Sequence, residues 1–248
     1  GKHVDILEKY TPDPMEVSHL LPTGGTTGLP KLVPRTHNNY LTNAYFNGTA
    51  MEKSPKDTDL IVTPVAHNAG LLRWVGRLIW GGKLVLSNST KISDILGNIQ
   101  QEKVTSTFLV PTLIIDLLNE PGRDKYDLSS LVLISGGGAY MPPEVMREVR
   151  HRIGCYCFSV FGMAEGPCMG HRFDFSEEEI LHTIGVPHCP WEEYKVLNDK
   201  EEPVPQGQDG ELAGKGPCIF TGYYKADDAN KKAFTHDGFF LTGDVVRI

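Results

Sequence analysis

Thr23-Gly24-Gly25-Thr26-Thr27-Gly28-Leu29-Pro30-Lys31 lies between an apolar-leaning run, Val17 to Leu21, and a second one, Leu32 to Val33. Glycines let neighbouring backbone amides turn into a common concavity and come close to an anion. Threonine hydroxyls add donors, and a lysine at the far end adds a point charge. The combination suits a polyphosphate. The spacing excludes a Walker A loop, because Pro30 precedes Lys31 and Leu32 follows it. It also excludes a dinucleotide fingerprint, since the next residues favour a strand before any helix. The bland alternative is a surface hairpin loop of ordinary turn residues. Nine consecutive positions that fit phosphate chemistry weigh against it.

Outward from this loop, short apolar runs alternate with segments of helical period as far as about Phe161. Strands are expected at 59–63, 83–86, 106–110, 131–134 and 155–160, and helices at 39–51, 69–80, 92–101, 112–118 and 143–153. Pro142 and Pro143 suit a first helical turn and Gly154 a C-terminal cap. Such alternation predicts an α/β fold with a largely parallel sheet flanked by helices. Ligands of such sheets bind at the loops that leave the carboxyl ends of the strands. After Gly185, prolines, glycines and short alternating runs dominate, broken by one short helix over 227–234. That texture predicts a small antiparallel β-barrel or sandwich, hence subdomains 1–184 and 185–248.

The chain has 248 residues, room for one large domain or two modest ones. A net charge of -7 and the absence of any basic run argue against nucleic acid as a partner. No apolar run reaches membrane-spanning length; the nearest, Leu71 to Trp80, is interrupted by Arg73 and Arg77. The first ten residues carry charges where a signal peptide needs an apolar core. Cys155, Cys157, Cys168, Cys189 and Cys218 form no Cys-x-x-Cys and no ligand cluster, so a reduced, cytoplasmic chain is expected. Cys155 and Cys157 alternate along an apolar run and are expected on one strand face.

The glycine loop resembles the phosphate-binding signature of the adenylate-forming superfamily: acyl-CoA synthetases, aryl-acid–AMP ligases and nonribosomal adenylation domains. Its continuation, Leu32-Val33-Pro34-Arg35-Thr36-His37-Asn38-Asn39-Tyr40, is especially similar to the aryl-acid–AMP ligases. Four more segments follow in the family's order. Ala66-His67-Asn68 resembles the segment that sets a His beside the acyl pocket. Ser135-Gly136-Gly137-Gly138-Ala139 resembles the glycine turn along adenine and the carboxylate. Val160-Phe161-Gly162-Met163-Ala164-Glu165-Gly166 is similar to the motif whose aromatic stacks on adenine and whose Glu binds magnesium. Gly238 to Asp244 resembles the segment whose Asp grips the ribose hydroxyls. The similarity covers essentially the whole chain.

This resemblance implies a two-step reaction. A carboxylic acid attacks the α-phosphate of ATP, pyrophosphate leaves, and a thiol of coenzyme A or of carrier-protein phosphopantetheine then displaces AMP. Thr23 to Gly28 would hold the β- and γ-phosphates, with Lys31 supporting the loop and its charge. Glu165 would carry Mg2+. Gly136, Gly137, Gly138, Ser159, Val160, Phe161, Gly162 and Asp244 would fix the nucleoside. His67, Asn68, Arg73, Gly137 and Val160 would meet the acid, with Ala69 and Gly70 leaving room. Two positions depart from the common pattern: Phe161 stands where Tyr is frequent and Ala164 where Thr is frequent, both as in aryl-acid ligases. Family members also have a long preceding segment and, beyond the ribose motif, a mobile domain that supplies a lysine. The parent enzyme is therefore expected to ligate, and this stretch alone to bind nucleotide weakly and turn over little.

Plainer readings stand beside each residue. His67 alone suits the start of a helix, Glu165 a solvated carboxylate, Asp244 a turn cap and Gly136 to Gly138 a strand-end turn. Arg73 on an amphipathic helix is expected to face solvent; facing inward, it would pair with a second carboxylate or a polar ring substituent. Glu177 to Glu179 read as a solvated charge run, and Trp191, Tyr223 and Tyr224 as packing. An aryl or cyclic acid is the first choice of substrate and a medium-chain fatty acid the second. A non-catalytic nucleotide-binding module and a phosphotransferase are the rival classes; the latter lacks a catalytic Asp-Asn loop.

Overall fold

Val17–Pro22 (β1) and Leu32–Thr36 (β2), the runs on either side of the glycine loop, pair antiparallel. The computed structural model describes residues 11–23 and 30–248. Gly24, Gly25, Thr26, Thr27 and Gly28 lie outside the described residues. As expected, a strand, β2, follows the loop ahead of helix α1 (His37–Ala50). The chain divides into two compact units, Gly1–Thr42 with Trp191–Ile248, and Asn43–Pro190. The first 42 residues thus group with the C-terminal stretch.

The second unit is built on a seven-stranded sheet. Its strands are β3 (Thr58–Ile61), β4 (Lys83–Leu86), β5 (Ser106–Leu109), β6 (Leu133–Gly137), β7 (Tyr156–Gly162), β8 (Cys168–Gly170) and β9 (Val186–Pro187), in the order β4-β3-β5-β6-β7-β8-β9. The five from β4 to β7 are parallel; β8 and β9 continue antiparallel. Helices α2 (Asn68–Trp80), α3 (Ile92–Glu102), α4 (Pro111–Asn119), α5 (Pro143–Arg152) and α6 (Glu177–His182) connect them. The chain steps from β3 out to β4 and returns past β3 to β5. Strand order reverses there, and in sheets of this kind ligands bind outside the carboxyl ends of the strands at such a point.

Pairing puts Leu60, Thr107, Ile134 and Cys157 in line on one sheet face, and Ile61, Phe108, Ser135 and Phe158 on the other. On the first face Ile95, Leu96 and Ile99 of α3, Ile114 and Leu117 of α4, and Met146 and Val149 of α5 close over Leu60, Ile134, Cys155 and Cys157. Side chains of Val, Leu or Ile buried to this degree each contribute roughly 1.5–3 kcal/mol. Both cysteines belong to this cluster, as their alternation predicts. Burial pushes each thiol up to about 12. All five cysteines are buried.

In the first unit β10 (Glu193–Leu197), β11 (Asp209–Lys215) and β12 (Phe240–Arg247) form a three-stranded antiparallel sheet, with α7 (Asp227–Ala233) between β11 and β12. This is the antiparallel structure expected after Gly185. Elsewhere the structure shifts or adds elements. Strand β6 begins two residues later than expected and runs into Gly136 and Gly137, which pair with Ser159 and Val160. Glycine carries no strand preference of its own, so the neighbouring strand decides. Strands β8 and β9 are too short for a period. Helix α6, in the Glu177 to Glu179 run, starts on a reciprocal cap: Ser176 Oγ accepts from the Glu179 amide and the Glu179 carboxylate accepts from the Ser176 amide.

Candidate functional site

The carboxyl edge of the second unit's sheet collects most of the candidate residues. The segment after β3 delivers His67 and Asn68 to the start of α2. His67 is the N-cap, its Nδ1 accepting from the Ala69 amide at 3.3 Å, and it is exposed. Asn68 donates from Nδ2 to the Met163 carbonyl at 3.2 Å, tying α2 to the turn after β7. Gly70 serves packing: a Cβ there would stand 2.5 Å from the Pro64 carbonyl oxygen. It does not hollow out a pocket.

Gly136 and Gly137 end β6 and Gly138 turns away with φ +80°. At Gly137 an added Cβ would meet the Val160 carbonyl oxygen at 2.4 Å and the Phe108 ring at 3.3 Å. Only glycine lets β6 and β7 lie this way while leaving bare backbone at the edge. Beside it, Ser159 accepts no side-chain role of note; its amide donates to His171 Nδ1 at 3.2 Å. Val160 and Phe161 are half-buried, and Gly162 is exposed at the strand end. Glu165 follows in the turn between β7 and β8 and is buried at 7% exposure, against the solvated reading. The turn is pinned from α1 by Asn43, whose Nδ2 donates to the Gly166 carbonyl at 2.8 Å.

Arg73 overturns its expectation. It points inward from α2, donates to Ser135 Oγ on β6 and lies over the Phe108 ring at 5.0 Å. Around it is a charged layer that strand periodicity did not reveal. Asp59 on β3 pairs with Lys53 Nζ and Arg77 Nε, each at 2.7 Å, all three side chains being under 10% exposed. Burial works against the Asp59 carboxylate, but the Lys53 and Arg73 charges and the Lys53 and Ser106 hydrogen bonds hold its carboxyl below the usual range. Burial lowers Lys53 and Arg73. His188 Nδ1 lies 3.3 Å from Cys168 Sγ and 3.2 Å from Asn47 Nδ2, while His188 Nε2 is buried with no hydrogen-bond partner among the described residues. Burial, then the charge of Arg73, pushes this imidazole down to about 4. Residues 47, 73, 168 and 188 share no spacing rule, so sequence reading could not assemble them.

In the first unit, the Thr23 amide donates to the Lys31 carbonyl at 2.9 Å, closing the base of the glycine loop. Thr23 Oγ1 is buried and has no hydrogen-bond partner among the described residues. Lys31 Nζ lies over the Tyr223 ring, 4.1 Å from its centroid, which gives Tyr223 more than a packing role. Asp244 sits in β12, exposed, one residue past Gly243 with φ +79°; its amide donates to Thr242 Oγ1 at 3.2 Å. What burial it has raises its carboxyl.

No group of three or more His, Cys, Asp or Glu that could hold a metal ion exists among the described residues. A site built on protein ligands alone is therefore not present there. A buried carboxylate such as Glu165 fits Mg2+, which takes one or two carboxylates and completes its shell with phosphate and water. No helix among the described residues is long and apolar enough to cross a membrane.

Comparison with known proteins agrees with this arrangement. The profile of the family described as AMP-binding enzyme matches residues 3–224. The chain is 40% identical over 235 residues to 2,3-dihydroxybenzoate-AMP ligase of Bacillus subtilis, covering 94% of this chain and 44% of the relative. It is 36% identical over 245 residues to a salicylyl-CoA synthase / salicylate adenylyltransferase of a Streptomyces species, covering 98% and 44%. Among solved structures, apo MbtA of Mycobacterium smegmatis superposes with a TM-score of 0.87 at 33% identity, over 96% of this chain and 44% of that one. The chain thus spans a little under half the length of these relatives.

Proposed function

Because the chain belongs to the AMP-binding enzyme family, we propose that the protein activates a carboxylic acid with ATP and passes the acyl group to a thiol. An acid oxygen attacks the α-phosphorus and the bond to the β-phosphate oxygen breaks. Pyrophosphate departs with the bonding electrons, leaving an acyl adenylate. A thiol sulfur, of coenzyme A or a carrier-protein phosphopantetheine, then attacks the acyl carbonyl and AMP departs. Two anions must meet in the first step, so alignment and charge compensation carry the catalysis.

The observation behind this reading is the carboxyl edge of the parallel sheet, where Gly136 to Gly138 leave bare backbone beside Ser159 to Gly162 and the buried Glu165 follows in the adjoining turn. On this reading the glycine segments and Phe161 hold the adenine, Asp244 accepts from the ribose hydroxyls, and Thr23 to Gly28 with Lys31 hold the phosphates. Glu165 would hold Mg2+, which when bound offsets the triphosphate charge. His67, Asn68, Gly137 and Val160 border the acid. The relatives named for dihydroxybenzoate and salicylate favour an aryl acid.

Pyrophosphate–ATP isotope exchange by the full-length protein tests the proposal. Exchange that depends on added aryl acid is the expected result. Acid-independent release of ADP in place of AMP would overturn it.

A further inference from the structure

Three cations, Lys53, Arg73 and Arg77, surround the single carboxylate of Asp59 between α2 and the sheet. Lys53 and Arg77 share that carboxylate, one on each oxygen. Arg73 is left over. Its guanidinium donates to Ser135 Oγ and has no carboxylate within ion-pair distance and no other hydrogen-bond acceptor among the described residues. A half-buried guanidinium is costly without a counter-anion, because the charge has lost water and gained little in return. Ser135 lies two residues before Gly137 on the same sheet face, so Arg73 reaches the strand that ends at the bare-backbone edge. A second buried polar group, His188, feels its charge. His188 Nδ1 faces Cys168 and accepts from the Asn47 amide, so the ring's proton sits on Nε2, a buried donor with no acceptor among the described residues.

We infer that the acid activated here carries a second carboxylate, remote from the one that is adenylated, and that Arg73 binds it with His188 Nε2–H as an additional donor. The inference rests on the acid-activating reading above. A carboxylate fits better than a hydroxyl for two reasons. It supplies the negative charge that balances the layer, and its two coplanar oxygens match the guanidinium fork. A neutral substituent would satisfy one donor and leave the charge uncompensated. Arg73 is thereby a specificity residue for the far end of the acid.

Acid-dependent pyrophosphate–ATP exchange by the full-length protein, measured on matched pairs, decides the matter: benzoate against isophthalate and phthalate, hexanoate against adipate. The expected result is at least a tenfold higher kcat/KM for a dicarboxylate than for its partner in one or more pairs. In Arg73→Leu that ratio should fall at least tenfold, with Arg73→Lys in between. Preference of the wild-type protein for the monocarboxylate in every pair overturns the inference, and so does a ratio that Arg73→Leu leaves in place. Should Arg73→Leu fail to fold, the wild-type ratios and those of Arg73→Lys and His188→Asn carry the decision. Exchange with monocarboxylates alone would leave the acid-activating reading intact while removing this one. No exchange with any acid removes both.

Discussion

At the scale of single residues, His188 and Glu192 pull stability in opposite directions as pH changes. His188 titrates near 6.5 when unfolded and is pushed down to about 4 by burial and the Arg73 charge. Between those values the unfolded chain binds a proton that the folded chain refuses, so stability falls as pH drops from about 6.5 to about 4. The loss is about 3 kcal/mol. Glu192 has the reverse sign. Burial raises its carboxyl to about 7, against hydrogen bonds from the Cys218 thiol and from the Tyr194 hydroxyl, which Oε2 accepts at 2.8 Å. Its contribution is full below about 4.5 and is lost as pH rises towards 7, again by about 3 kcal/mol. Thermal melts across pH should therefore show His188→Gln with a shallower acid limb than wild type. Glu192→Gln should melt higher than wild type above pH 7. A Glu192→Gln variant no more stable at pH 8 would show that the carboxyl does not carry that cost.

At the scale of elements, the two faces of the parallel sheet obey different rules. The face under α3, α4 and α5 is apolar apart from Thr107, whose hydroxyl is spent on the Leu60 carbonyl, so each helix there could be read from its period. The face under α2 carries Asp59, Ser106 and Ser135, whose partners Lys53, Arg73 and Arg77 arrive from elsewhere in the chain. Asp59→Ala would leave two buried cations unpaired and should cost about 3–5 kcal/mol in chemical denaturation. Removing a cap costs less. Ser176→Ala at the start of α6 should lose about 1 kcal/mol, since one amide loses its acceptor. Gly137→Val at the β6–β7 pair should act through the site, because the nearest obstacle is backbone and cannot rotate aside. Exchange activity should fall before the melting temperature does.

At the scale of the whole molecule, the proposed reaction asks for charge compensation and alignment. Glu165→Gln keeps the shape of the turn and removes the negative charge. It should lower acid-dependent exchange by about 100-fold or more, on the scale of other transition-state electrostatic groups. Partial recovery at raised Mg2+ would support a metal-holding role, and activity equal to wild type would exclude one. Asp244→Ala should instead raise the KM for ATP, as loss of a nucleoside contact does. What sequence alone determined was local or repetitive. Alternating periods announced the parallel sheet, prolines and glycines marked helix ends such as Pro143 and Gly154, and contiguous motifs picked out the glycine end of β6 and the turn that carries Glu165. Tertiary structure alone decided the glycine extension of β6, the inward turn of Arg73 and the meeting of Asn47, Cys168 and His188. Those outcomes depend on which strand lies beside which and on where a buried charge finds its partner. Such contacts join residues up to 141 positions apart, and no period or short motif encodes a pairing at that range.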